Sequence, residues 1–214
     1  PREKKTWKTQ KVVFGIRAIW VVAISSGLMY ITRYAINSWG ILYLQEIRGY
    51  SLIDAGFFLA VNTVAGIFGS IAYGYVSDKL FDARRPPANL IFAVLEVLAL
   101  IGIFFGPTNG FMLALSFAVY GFTLSGLMAS LGGLFAVDIA PRGATGAAMG
   151  FVGVFSYLAA ATQENISAAL ISEGIAIVNG VRTYDFGIAI LFWIGSSVLS
   201  MLLAATLWST RIRD

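Results

Sequence analysis

Residues 18–44 read Ala18-Ile-Trp-Val-Val-Ala-Ile-Ser-Ser-Gly-Leu-Met-Tyr30-Ile-Thr-Arg33-Tyr34-Ala-Ile-Asn37-Ser-Trp39-Gly-Ile-Leu-Tyr-Leu44. This run exceeds the roughly 20 apolar residues that cross a bilayer. In lipid every backbone N–H and C=O needs an internal partner, so a span is a helix or part of a closed barrel. A continuous apolar run of this length predicts a helix. Five more runs follow, about Ala55 to Val76, Ala88 to Phe105, Phe111 to Val137, Thr145 to Ile171 and Phe186 to Trp208. The expected fold is an all-α membrane protein with six transmembrane helices.

Composition agrees with a lipid-facing surface. Of 214 residues, 58% are hydrophobic and 12% charged, and the mean hydropathy is +0.79. A soluble domain carries about twice that charged fraction. Neither Cys nor His occurs. Thiolate chemistry and the commonest proton carrier are therefore missing, which argues against an enzyme, a metal site or a cofactor. A net charge of +4 could suggest nucleic acid. The cations lie beside the spans, however, so membrane topology explains them and no nucleic-acid partner is expected.

Twelve Lys and Arg fall on one side of the predicted spans. They are Arg2, Lys4, Lys5, Lys8, Lys11 and Arg17, then Lys79, Arg84, Arg85, Arg142, Arg211 and Arg213. Only Arg48 and Arg182 fall on the other side. The positive-inside rule assigns the richer side to the cytoplasm. Both ends are then cytoplasmic, in a multi-pass protein of the inner membrane. Residues 1–16 read as a cytoplasmic linker, 17–209 as the six-helix bundle and 210–214 as a tail. The basic start runs straight into a full span without a signal-peptide pattern. It is expected to be a linker within a longer chain, the alternative being the charged tail of a complete small protein.

Arg33 sits near the middle of its span, where an arginine costs at least ~2.5 kcal/mol. Such a residue faces a cavity or a partner. A planar guanidinium suits bidentate binding of phosphate or carboxylate. Tyr30, Tyr34 and Asn37 lie one turn away. Anion binding is one reading, and an ion pair with Glu164 is the other. Gln163, Glu164 and Asn165 interrupt the fifth span and suggest a helix lining a watery path. Glu164 then serves as proton site, partner for Arg33 or substrate contact. Interhelical hydrogen bonding by Gln163 and Asn165 is the plainer alternative. Glu96 in the third span reads as a protonated or hydrogen-bonded packing residue, and Asn62 in the second as an interhelical hydrogen bonder, with a ligand contact as the alternative.

Glycine is abundant, at 23 residues. Gly66, Gly69 and Gly74, then Gly121, Gly126, Gly132 and Gly133, and the Gly146/Gly150 pair suit close helix packing, with a hinge as the alternative. The stretch Gly143 to Gly153 lacks the Gly-Lys-Ser/Thr end of a nucleotide phosphate loop. Between the second and third spans stands Gly74-Tyr-Val-Ser-Asp78-Lys79-Leu-Phe-Asp82-Ala-Arg84-Arg85. Here the Asp is placed to cap and pair at helix ends, holding neighbouring helices in one state.

That loop resembles the motif of the major facilitator superfamily, with one residue extra before the arginine pair. Finer similarity is to its organophosphate:phosphate antiporter family, especially hexose-phosphate transporters and sensor-like members. It is carried by Arg33-Tyr-Ala-Ile-Asn-Ser-Trp39, Ser77-Asp-Lys-Leu-Phe81, Asn89-Leu-Ile-Phe-Ala93, Ala140-Pro-Arg-Gly-Ala-Thr-Gly-Ala-Ala148 and Gly150-Phe-Val-Gly-Val-Phe-Ser-Tyr-Leu158. The resemblance implies a twelve-helix fold of which this chain is the C-terminal half, helices seven to twelve. It implies an N-terminal six-helix half as partner, and a phosphate held by one arginine from each half. Arg33 matches the arginine of helix seven. It further implies exchange of a phosphorylated sugar or related organophosphate for inorganic phosphate by alternating access. Helix eleven, the fifth span here, helps set substrate preference in the family. Gln163 and Glu164 stand where several relatives have small residues or a lysine, so the substrate stays open. The second reading is a receptor that senses external hexose phosphate and signals to a histidine kinase. A self-contained six-helix protein that dimerises into a pore is the third.

Overall fold

The computed structural model describes residues 10–178 and 181–208. The cations Arg2, Lys4, Lys5 and Lys8 of the linker, and Arg211 and Arg213 of the tail, lie outside the described residues. Six helices are long and apolar enough to cross a membrane. We label them α1 (Arg17–Glu46), α2 (Leu52–Leu80), α3 (Arg85–Phe105), α4 (Gly110–Ile139), α5 (Thr145–Glu173) and α6 (Gly187–Ala205). Each coincides with one expected span, extended by a turn or less at most ends.

Local chemistry sets the boundaries. Gly49, at φ 72°, makes the turn after α1, a left-handed conformation that costs glycine little. Ser51 caps α2 by accepting from the Asp54 N–H at 3.2 Å, and its hydroxyl donates back to the Asp54 carboxylate at 2.7 Å. This satisfies an N–H left free by the helix start. Asp82 and Ala83 reverse the chain at φ 48° and 60°. Pro86 and Pro87 then occupy the first turn of α3, where their missing N–H has no helical partner anyway. Asn109 caps α4 through the Phe111 N–H at 2.9 Å. The last turn of α2, Val76–Leu80, is π-helical, as is Ser130–Leu134 within α4. The longest loop holds a feature that hydropathy did not suggest. Strands β1 (Ala176–Val178) and β2 (Val181–Thr183) pair antiparallel, with Ile177 opposite Arg182.

α1 is the most buried span and packs on α5, α6 and α2. α3 lies between α4 and α6. The tightest seam joins α2 to α4. A Cβ at Gly69 would stand 1.9 Å from the Phe122 carbonyl oxygen, and one at Gly121 would stand 2.0 Å from that of Asn62. Lipid tails are as apolar as the helix surfaces, so no hydrophobic force drives membrane helices together and close backbone approach favours their packing. The packing expectation therefore holds for Gly66, Gly69, Gly121 and Gly126. A Cβ at Gly74, Gly132, Gly146 or Gly150 would meet nothing within 4 Å among the described residues.

Candidate functional site: a cleft at Arg33

Mid-helix, α1 turns a polar stripe away from the core. Ala35, Ile36 and Gly40 are buried, whereas Arg33, Tyr34, Asn37 and Ser38 are partly or fully exposed. Helical spacing puts residues i, i+1, i+4 and i+5 on one face. The Arg33 guanidinium carbon lies 5.4 Å from the ring centre of Tyr30 and 5.4 Å from that of Tyr34. Two ring faces at this range attract the cation and restrict its position. Tyr30 in turn meets Tyr157 of α5 edge-on at 5.7 Å.

Arg33 and Asn37 border a cleft of about 190 Å³, with Asn62 and Thr63 of α2 and Gly121 and Ser125 of α4. The glycine seam creates this neighbourhood, because the close α2–α4 approach carries Asn62 and Ser125 up to the α1 stripe. Asn62 departs from the first of its two readings, that of an interhelical hydrogen bonder. Its Oδ1 is buried without a hydrogen bond, packed where a Gly121 Cβ would come within 2.6 Å. It bonds no neighbouring helix and instead lines the cleft. Among the described residues lining the cleft, Arg33 alone is formally charged.

The alternative ion pair is not formed. Among the described residues the ion pairs belong to Arg85. Glu164 accepts a hydrogen bond from Ser38, which ties α5 to the exposed stripe of α1. Glu164 therefore joins the stripe without neutralising Arg33. Gln163 does not line an open path. It is wholly buried, and its Nε2 donates to Ser167 Oγ at 3.0 Å. Ser167 Oγ also accepts from the Trp193 indole N–H at 2.8 Å, so this polar chain lies inside the α5–α6 contact. Asn165 is exposed and donates to the Ala161 carbonyl of its own helix. The helical period explains the split, since three successive residues point in three directions.

The loop motif forms a second polar centre. Arg85 donates to Asp138 at 2.8 Å, to Asp78 at 3.1 Å and to Ser77 Oγ at 3.0 Å. One guanidinium thus joins the end of α2, the start of α3 and the end of α4. Lys79 and Arg84 are exposed and take no part in these bonds. A Cβ at Gly74 would meet nothing within 4 Å among the described residues. Asp138 escaped the sequence reading because it closes an apolar run. A carboxylate at a span end opposite Arg85 was the available signal.

The sequence pattern described as Major Facilitator Superfamily matches residues 1–163. The chain belongs to the major facilitator superfamily, and within it to the organophosphate:phosphate antiporter family. Its six spans make up one half of the superfamily's twelve-helix fold. Among its relatives, the membrane sensor protein UhpC of Salmonella typhimurium is 36% identical over 143 residues, 66% of this chain and 32% of that protein. The glycerol-3-phosphate transporter of Bacillus subtilis is 26% identical over 218 residues, 97% of this chain and 46% of that protein. The probable hexose phosphate transport protein of Chlamydia pneumoniae is 32% identical over 144 residues, 66% of this chain and 31% of that protein. The matches thus span from 31% to 46% of these relatives' own lengths.

Proposed function

We propose that this chain is the C-terminal six-helix half of a secondary transporter exchanging a phosphorylated sugar or related organophosphate for inorganic phosphate. It works in transport rather than catalysis, in the inner membrane, with both ends cytoplasmic. Arg33 is the phosphate ligand of this half, and a cationic group on the N-terminal half completes the clamp. One observation carries the reading. Arg33 is a mid-span guanidinium set 5.4 Å from each of two tyrosine rings, bordering a cleft, with no carboxylate partner among the described residues. A charge at that depth is retained where a substrate pathway needs it. Tyr30 and Tyr34 orient the fork, while Asn37 and Asn62 supply polar groups beside it. Alternating access then follows from rocking one half against the other around a central site. The Arg85 centre steadies the ends of α2, α3 and α4 as this half moves.

The test is uptake of labelled sugar phosphate by the full-length protein carrying Arg33→Lys. An ammonium keeps the charge but loses the bidentate fork. A hydrogen bond to a charged group contributes about 1.5–3 kcal/mol, so uptake efficiency should fall roughly 10- to 150-fold. Near-normal uptake would remove Arg33 from the clamp.

The similarity to the UhpC sensor supports a second reading, a receptor that reports external hexose phosphate to a histidine kinase. Kinase output measured with and without glucose 6-phosphate separates the two. A response without net exchange supports the receptor.

A further inference from the structure

None of the roles above uses Glu96. It lies mid-span in α3 and is 2% exposed. Its Oε2 accepts a hydrogen bond from Ser197 Oγ of α6 at 2.6 Å. Its Oε1 is buried with no partner. Among the described residues no cation pairs with it. From α4 comes Tyr120, itself buried with an unpartnered hydroxyl. The next residue, Gly121, lines the Arg33 cleft. From α6 comes Ser197, which does not titrate. Tyr73 of α2 bonds Asn89, about two turns before Glu96. Tyr43 and Arg48 hold carbonyls of residues 103–106, about two turns beyond it.

An ionised carboxylate in this position would be desolvated, uncompensated by a cation, and bonded at one oxygen only. Burial of that kind favours the neutral acid. We infer that Glu96 is a proton-binding site, carrying a proton on its carboxyl group in this conformation and releasing it only when the α3–α6 contact at Ser197 opens. The step is the making and breaking of one O–H bond, with the proton passing to water that enters the opened contact. The sign of the linkage follows. Protons bind this packing, so acid pH favours it and alkaline pH favours the opened state. Movement of this half that opens the α3–α6 contact couples proton occupancy to transport.

Proton binding at Glu96 does not depend on the phosphate-exchange reading; its coupling to transport does. Infrared spectroscopy of the full-length protein in lipid vesicles detects the carbonyl stretch of a protonated carboxylic acid. We expect that band in the wild type at neutral pH and its loss in Glu96→Gln. Absence of the band from the wild type, or its persistence in the variant, overturns the proposal. Exchange of labelled phosphate across the same vesicles, followed against pH, supplies the second arm. The variant should exchange with a flattened pH profile. An unchanged profile overturns the coupling. A band lost in the variant with no exchange by the wild type at any pH rejects the transport reading and leaves the proton site standing.

Discussion

Arg85 and Asp138 join the start of α3 to the end of α4 through a 2.8 Å contact, across 53 residues of sequence. Both side chains are largely sheltered, at 12% and 20% exposure. Arg85 also holds Asp78 and Ser77, so its guanidinium is the node at which three helices meet. A multiply bonded, sheltered arginine contributes more than an isolated surface pair.

Replacing Asp138 by Ala should therefore destabilise the bundle by about 1–3 kcal/mol, because it leaves a sheltered charge short of a partner. Asp78→Ala should cost less, since Asp78 is the more exposed of the two. Thermal unfolding in detergent checks the order. Equal melting temperatures for wild type and Asp138→Ala would show that the contact contributes nothing.

The glycine seam makes an opposite pair of predictions. Gly69→Ala drives a methyl group into the Phe122 carbonyl, and overpacking of this kind costs about 1–3 kcal/mol or more. Gly74→Ala meets open space and should be neutral or should stabilise the helix by about 0.5–1 kcal/mol. Folded yield and melting temperature of the two variants should move in different directions.

Arg48 closes the other end of α3. It donates to the carbonyls of Gly106 at 2.9 Å and Ile103 at 2.8 Å and to the Tyr43 hydroxyl at 3.1 Å. Terminal helix carbonyls lack intrahelical donors, and a cation there also suits the helix dipole. Arg48→Ala should cost about 1–3 kcal/mol and raise amide hydrogen exchange around residues 103–110. Unchanged exchange in that segment would refute the capping role.

Hydropathy made the spans legible because it is a local property. Any apolar run of sufficient length becomes a helix in lipid, whatever it packs against. The polar stripe from Tyr30 to Ser38 was legible for the same reason, being set by spacing along one helix. Gln163 and Asn62 were not legible. The first is buried in the α5–α6 contact and the second lines the cleft, and neither fact is encoded within its own helix. Their surroundings depend on how each helix is rotated, which neighbouring residues decide.

By itself the sequence determined six helical spans, their apolar surface and the presence of one arginine too deep for lipid. Tertiary structure alone decided which groups meet that arginine and which polar groups are sealed inside. Asn62, Gly121 and Ser125 reach the Arg33 cleft because two glycine faces let α2 and α4 approach closely. Glu96 finds Ser197 across 101 residues because α3 packs on α6. Spans follow from each segment's own transfer from water to lipid. Contacts follow from the fit between segments far apart in the chain.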